Sequence, residues 1–207
     1  MNRTKSTLAA LLVLTPLAFA GNAGAVVVSI TPYNLDAPEL DLSVDVTVDS
    51  GVASFAFSNN STGDSAGAVA ADFYFESGLG DLLSNPTIVG GSGVNFSTDF
   101  PGPASPPGGE LVNWGGEFYA IGGVAPPPAN GLGVGDSLLV TFDYAGTVDV
   151  LVAALIDQSG NSRIATHVLD CVGENSCSAI TTVPVPAAFP ALLSALGLLI
   201  ARRRRIV

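Results

Sequence analysis

The stretch Leu40-Asp41-Leu42-Ser43-Val44-Asp45-Val46-Thr47-Val48-Asp49 decides the fold class. Its leucines and valines alternate one by one with Asp, Ser and Thr, so an extended chain places the apolar side chains on one face and the polar ones on the other. Ser50-Gly51 supplies a turn, and Val52 to Ser58 continues with Phe55 and Phe57 on one face. The two segments together predict a β-hairpin with a charged outer face.

The same period of two recurs along the chain, in the segments Val69 to Glu76, Phe118 to Ile121, Ser137 to Tyr144 and Arg163 to Leu169. Val148 to Ile156 is apolar on both faces, which predicts a strand in the centre of its sheet. We find no helical periodicity and no internal repeat in this part of the chain. Short strands separated by turns predict an all-β protein, an antiparallel β-sandwich of jelly-roll or immunoglobulin-like topology.

Residues 98–130 interrupt this pattern with a long segment rich in Pro and Gly. It contains the single tryptophan, Trp114, together with Phe118 and Tyr119. Aromatic side chains on such a segment can stack on sugar rings, or they can fold back over the end of the sandwich. We expect the packing role.

Two cysteines, Cys171 and Cys177, lie close together near the end of the predicted sandwich. In an oxidising compartment such a pair predicts a disulfide that closes a small loop. A metal site would need further soft ligands, and His167 is the single histidine of the chain.

The charges are distributed very unevenly. Of the 7 Lys and Arg residues, Arg163 alone lies between Val26 and Thr182, whereas all 18 acidic residues lie there. One arginine against 18 carboxylates leaves this part with a formal charge of −17. Such a surface repels nucleic acid and anionic lipid headgroups, so no nucleic-acid partner is expected. We expect Arg163 to pair with one of the carboxylates in a structural role.

The first 25 residues have the composition of a secretory signal peptide. Arg3 and Lys5 form a positive region, and Leu8 to Ala20 is a short apolar run. Small residues suited to cleavage follow, and we place the cut after Ala25. The sequence therefore predicts a signal peptide at 1–25, a β-sandwich at 26–182 and a separate C-terminal segment at 183–207.

The C-terminal segment begins with Val183-Pro184-Val185-Pro186-Ala187. No charged residue occurs from Ala187 to Ala201, a run that would reach about 22 Å as a helix. Four arginines follow, Arg202, Arg203, Arg204 and Arg205, and such a block stays on the cytoplasmic side of a membrane. A comfortable span needs roughly 20 residues, so this pattern predicts a short transmembrane helix with a fixed orientation.

This segment resembles the C-terminal sorting signals of PEP-CTERM proteins, which combine a Val-Pro-x-Pro motif, a short transmembrane helix and an arginine cluster. Val185 stands where the commonest motif has glutamate, so the tail is more similar to the variant that reads Val-Pro-Leu-Pro-Ala. The resemblance implies recognition by an exosortase, an intramembrane cysteine protease of Gram-negative bacteria. That enzyme would cut near the motif and release the protein outwards. A plain membrane anchor is the alternative.

The middle of the chain also looks like a recurrent ectodomain of PEP-CTERM proteins. The similarity rests on Phe55-Ala56-Phe57-Ser58-Asn59, on Tyr74-Phe75, and on the late strand from Arg163 to Val168. The resemblance implies a β-sandwich and says little about chemistry.

No catalytic constellation stands out. A triad could only be Ser-His-Asp around His167, and no Gly-x-Ser-x-Gly turn is present, so we expect no enzyme activity. No cofactor is expected apart from calcium, for which two loops carry candidate oxygen ligands. The calcium candidates are Asp36, Glu39, Asp41, Asp157 and Asn161.

Two functions remain open at this point. The first is a non-enzymatic surface or extracellular-matrix protein, exported through the Sec translocon, held briefly in the inner membrane and processed at its tail. The resemblance implies an association with exopolysaccharide and biofilm. The second is a secreted carbohydrate-binding or carbohydrate-active protein built on the same sandwich.

Overall fold

The structure is a computed structural model that describes residues 25–33, 36–99, 105–125, 127–157, 161–172 and 175–182. The predicted signal peptide, apart from Ala25, and the predicted sorting signal at 183–207 lie outside these residues. No helix within the described ranges is long and apolar enough to cross a membrane.

The described chain consists mainly of β-strands. They are β1 (Val26–Pro32), β2 (Leu42–Asp49), β3 (Val52–Asn59), β4 (Val69–Glu76), β5 (Ser84–Gly90), β6 (Phe96–Ser97), β7 (Glu117–Gly123), β8 (Ser137–Asp143), β9 (Ile164–Val172) and β10 (Asn175–Thr182). Two α-helices, α1 (Pro127–Asn130) and α2 (Val148–Ile156), and three short 3-10 helices complete the described elements. The predicted all-β, antiparallel class is confirmed.

The ten strands form one hydrogen-bonded sheet in the order β5-β8-β3-β2-β1-β10-β9-β4-β7-β6, and every pairing is antiparallel. The sheet curls until the edge strands β5 and β6 contact each other. The sequence predicted a sandwich of jelly-roll or immunoglobulin-like type, whereas the described strands join into a single, nearly closed sheet.

The hairpin predicted from the alternating stretch is present. β2 and β3 pair from Leu42↔Asn59 to Asp49↔Val52, and Ser50 and Gly51 both have positive φ, as a two-residue hairpin turn requires. The leucine and valines at 42, 44 and 46 are buried, while Asp45 on the other face is exposed.

Aromatic side chains fill the inside of the curled sheet. Phe55 and Phe57 of β3 meet Phe73 and Phe75 of β4, with ring centroids 5.7 Å apart for Phe55–Phe75 and 4.4 Å apart for Phe57–Phe73. Phe142 of β8 lies 5.2 Å from Phe75. These contacts join strands far apart in the sheet order, so the core exists only because the sheet curls.

Asn59 ends β3 as a fully buried polar residue. Its side-chain nitrogen donates to the carbonyl oxygens of Ala68 and Leu132, at 2.8 and 3.1 Å. Its side-chain oxygen accepts from the backbone N–H and the hydroxyl of Ser61, at 3.2 and 2.7 Å. Buried polar groups are tolerated when they are bonded in this way, so Asn59 ties two loops to the end of the hairpin.

The segment Val148 to Ile156, predicted as a central strand, is the helix α2, and that prediction was wrong. Leu151 and Leu155, one helical turn apart, are fully buried, and Val148, Val152 and Ile156 pack against the core beside them. These positions have the spacing i, i+3, i+4, i+7, i+8 that marks an amphipathic helix. The apolar Val150, Ala153 and Ala154 on the opposite side hid this periodicity.

The burial of α2 predicts an uneven response to substitution. We expect Leu151→Ala or Leu155→Ala to lower the free energy of unfolding by about 2–5 kcal/mol, because each leaves a cavity in the core. Val150→Ala is the matched control, since Val150 is 56% exposed and its loss should change stability by only about 0.5 kcal/mol. Urea denaturation followed by circular dichroism measures both. Equal losses at Val150 and Leu151 would contradict the helix and support a two-sided buried strand.

Candidate functional site

The outer face of the sheet carries a concentration of polar side chains on β4, β9 and β10. Alternate residues of a strand share a face, so Asp72, Tyr74 and Glu76 of β4 project to the same side. The register pairs Asp72 with His167, and His167 with Ser178. The fold thereby brings together an aspartate, a histidine and a serine that are far apart in the sequence.

Arg163 and Glu76 form a buried ion pair at one end of this face. Arg163 is 2% exposed and Glu76 is not exposed at all. The guanidinium donates from Nε to Oε2 at 2.7 Å and from Nη2 to Oε1 at 2.5 Å. The backbone N–H of Arg163 also donates to Oε2, at 3.0 Å. The expected structural role of Arg163 is confirmed. Its bidentate hydrogen bonding to the Glu76 carboxylate is the strongest form of such an ion pair.

The ion pair anchors residues 105–116, which we call the cover segment, to the sheet by hydrogen bonds. The remaining donors of Arg163 reach the carbonyl oxygens of Val112 and Asn113, at 2.9 and 3.1 Å. Glu76 Oε1 accepts from the backbone N–H of Gly115 at 2.9 Å. A buried charge is stable only when its hydrogen-bonding capacity is met, and the cover segment supplies the missing partners.

Apolar and aromatic contacts continue under the cover segment. Trp114 packs beside the fully buried Tyr74, and the guanidinium of Arg163 lies 5.8 Å from the centre of its ring. Tyr33 donates its hydroxyl proton to the carbonyl oxygen of Pro107 at 2.8 Å. The indole Nε1 of Trp114 is buried and has no hydrogen-bond partner among the described residues. The cover segment is therefore packed onto the sheet along much of its length.

The aromatic residues of the long Pro- and Gly-rich segment thus have packing roles, as expected. Phe118 and Tyr119 lie 5.9 and 5.5 Å from Phe142 of the core, measured between ring centres. Within the described ranges, the exposed large hydrophobic side chains are valines and one leucine, and none is aromatic.

The Asp72, His167 and Ser178 row does not have the geometry of a nucleophilic site. His167 Nδ1 lies 3.6 Å from Asp72 Oδ2, which is beyond hydrogen-bonding distance. Ser178 is fully buried, so its hydroxyl could not reach a substrate from solution. Tyr74 donates a long bond of 3.5 Å to Asp72 Oδ2. Burial, followed by the nearby Asp72 carboxylate, raises the pKa of Tyr74 well above its usual value.

The calcium candidates have structural contacts of their own, and Asn161 lies beside Gly115 of the cover segment. Asp36, Glu39 and Asp41 are all exposed, and Glu39 accepts from the backbone N–H of Asp64 at 2.5 Å. Asp157 is the C-cap residue of α2. The carbonyl oxygen of Asn161 accepts a hydrogen bond from the backbone N–H of Gly78 at 2.6 Å. No three His, Cys, Asp or Glu residues of the described chain come together as metal ligands. Calcium binding stays a prediction.

The predicted disulfide is confirmed. Cys171 and Cys177 are bonded, with Cα atoms 5.8 Å apart, and the bond links β9 to β10 at the end where these strands form a hairpin. The hydroxyl of Ser65 donates to the carbonyl oxygen of Cys171, so the bridged hairpin is also anchored to the loop before β4.

The other predicted site residues lie outside the described residues. They are the sorting motif Val183, Pro184, Val185, Pro186 and Ala187 and the topology signal Arg202, Arg203, Arg204 and Arg205. Sequence reasoning did not single out Glu76 or Asp72. The available signal was a pair of carboxylates four residues apart, on the same face of the otherwise largely apolar β4, where burial would demand a partner.

No family model, no curated protein and no solved structure matches this chain.

Removing one partner of the buried pair should destabilise the protein strongly. We expect Glu76→Gln or Arg163→Met to lower the free energy of unfolding by about 3–5 kcal/mol, because each leaves an unpaired charge in the interior. Asp45→Asn is the control, since it removes an exposed carboxylate from β2, which is neither β4 nor a sheet neighbour of β4. Denaturant titration gives the three values.

The double substitution Glu76→Leu/Arg163→Met separates the cost of an unpaired buried charge from the cost of altered packing. Its cost should fall below the sum of the single substitutions Glu76→Leu and Arg163→Met, because no charge is then left unpaired. Fluorescence of Trp114, the single tryptophan, should report release of the cover segment in all the pair variants. A loss at Glu76→Gln no greater than that at Asp45→Asn would contradict the role assigned to the pair.

The raised pKa of Tyr74 predicts a loss of stability at high pH. The neutral phenol is favoured in the folded state, so its contribution is complete below pH 10 and disappears as the pH rises through the folded-state pKa. We expect the free energy of unfolding to fall above pH 10. Tyr74→Phe should flatten that fall by up to about 1.4 kcal/mol per pH unit. Denaturant titrations between pH 8 and pH 11.5 test this, and an unchanged slope in the variant would refute it.

Proposed function

We propose that this protein is a non-enzymatic exported protein of the cell surface or extracellular matrix, processed at a C-terminal sorting signal. One observation carries the proposal. The order of Val183-Pro184-Val185-Pro186, an uncharged apolar run and four arginines begins directly after Thr182, the last residue of β10. A folded β-domain joined to a short membrane segment by the motif residues alone is the arrangement expected of a substrate that is cut at the membrane surface.

The chemistry of the described domain supports this role. Arg163, the single Arg or Lys between Val26 and Thr182, is buried, so the described surface carries carboxylates without any exposed Arg or Lys. A surface of one sign keeps an exported protein soluble and discourages self-association. The Cys171–Cys177 disulfide supports an oxidising compartment outside the cytoplasm.

In this proposal the chain is exported by the Sec translocon, and the signal peptide is cleaved after Ala25. The apolar run then holds it in the inner membrane of a Gram-negative cell until an exosortase-type protease acts. The released domain associates with exopolysaccharide in a biofilm. The curled sheet serves as a closed variant of the predicted sandwich, because β3 and β4 face each other across the aromatic core as two layers would.

A secreted carbohydrate-binding or carbohydrate-active protein is the alternative, and less supports it. Trp114, Phe118 and Tyr119, the residues that could stack on sugars, pack against buried side chains of the domain. A binding assay with neutral and acidic polysaccharides, using the natively purified domain, would separate specific recognition from a passive matrix role.

Processing predicts a defined mass. Protein recovered outside cells of the native host should lack the residues that follow the Val183–Ala187 motif. Intact-mass spectrometry and C-terminal peptide mapping measure this. The variant Pro184→Ala/Pro186→Ala should remain in the membrane fraction at full length, because it removes the rigid part of the motif. Exported protein that still carries Arg202 to Arg205 would contradict processing and leave a simple anchor.

A further inference from the structure

The chain enters and leaves the β-domain at the same end of the sheet. β1 begins at Val26 and β10 ends at Thr182, and the two strands are antiparallel neighbours with Ser29 opposite Thr182. Val26 therefore lies three residues, or about 10 Å, beyond Thr182 in the same direction. We call this end of the sheet the exit end.

Helix α2 closes the exit end. It connects β8, which ends there, to β9, which begins there, and it contacts β1, β2 and β10. The hydroxyl of Thr181 donates to the carbonyl oxygen of Leu155 at 3.1 Å. This hydrogen bond joins α2 to the penultimate residue of β10. Leu151 and Leu155 point into the core, and Val150 is 56% exposed on the other side.

The length of the connection limits how far the domain can turn. Five residue steps separate Thr182 from Ala187, where the apolar run begins, and a fully extended chain covers them in roughly 17 Å. A domain of about 157 residues has a radius of gyration of about 15 Å and hence a diameter of about 40 Å. A tether shorter than the domain's diameter keeps the exit end closest to the membrane.

The side of α2 that faces away from the core suits this position. Val150 and Ala153 are exposed and uncharged, whereas Asp149 and Asp157 lie at the two ends of the helix. An uncharged patch can approach lipid headgroups without losing hydration of a charge, while carboxylates at its margin keep the contact shallow.

We infer that the exit end, with the outer side of α2 at its centre, is the surface that contacts the lipid bilayer while the C-terminal segment is still attached. This inference rests on the proposed function, because it requires the apolar run to be inserted. The occupant is the surface of a phospholipid bilayer.

A quenching experiment on the full chain tests the inference. Val150→Cys places a thiol on the outer side of α2. Val134→Cys is the matched control, because Val134 is also an exposed valine, 43% exposed. The next residue, Gly135, donates a hydrogen bond to the carbonyl oxygen of Asn59, at the end of β3 opposite the exit end. Each thiol is labelled with a small fluorophore without reductant, so that the Cys171–Cys177 bond stays intact. The protein is reconstituted into phosphatidylcholine vesicles that contain a headgroup spin-labelled lipid.

We expect the protein to float with the vesicles and the label at position 150 to lose more fluorescence than the label at position 134. Flotation with equal quenching, or with stronger quenching at position 134, would overturn the inferred orientation and leave the membrane-anchored precursor intact. Failure to float would overturn the orientation and the anchoring together. Because the vesicles contain no protease, quenching cannot come from a protein partner.

Discussion

The ion pair between Arg163 and Glu76 is the constraint on which the outer half of the structure depends. Arg163 is the one Lys or Arg between Val26 and Thr182, where it accompanies 18 carboxylates. Its charge could have stayed on the surface, where water and salt would screen it. Instead it is buried, and its five N–H donors leave it needing acceptors from several directions. Glu76 meets part of that need, and the backbone of the cover segment meets more of it. A segment rich in proline and glycine is thereby ordered, although its secondary structure is limited to one short 3-10 helix, Gly109–Val112.

This arrangement also explains the surface. With its one Arg side chain used internally, the described domain presents carboxylates to solvent without any Arg or Lys to balance them. Repulsion among them costs stability, and the closed aromatic core and the Cys171–Cys177 bond offset that cost.

The residues that resemble PEP-CTERM ectodomains occupy structural positions. Phe55 and Phe57 are core aromatics, Asn59 ties two loops together, and Phe75 is central to the aromatic cluster. Tyr74 and Arg163 lie under the cover segment. A motif made of such residues reports how a fold is held together. It does not report a reaction, and this is why the candidate function rests on the two ends of the chain and not on the sheet.

The sequence by itself determined the strand pattern, the hairpin at Ser50-Gly51, the disulfide and the structural role of Arg163. These follow from local periodicity, turn chemistry, close spacing of two cysteines and the scarcity of cations. It misassigned α2, because a nine-residue segment that is apolar except for Asp149 satisfies both a buried strand and a helix until its neighbours are known. The tertiary structure alone decided that Glu76 would be the partner of Arg163, that Asp72, His167 and Ser178 would share a row, and that the sheet would curl into one nearly closed layer. Each of these depends on which strands become neighbours, and strand order is set by packing of the whole core, a long-range property that no local pattern encodes.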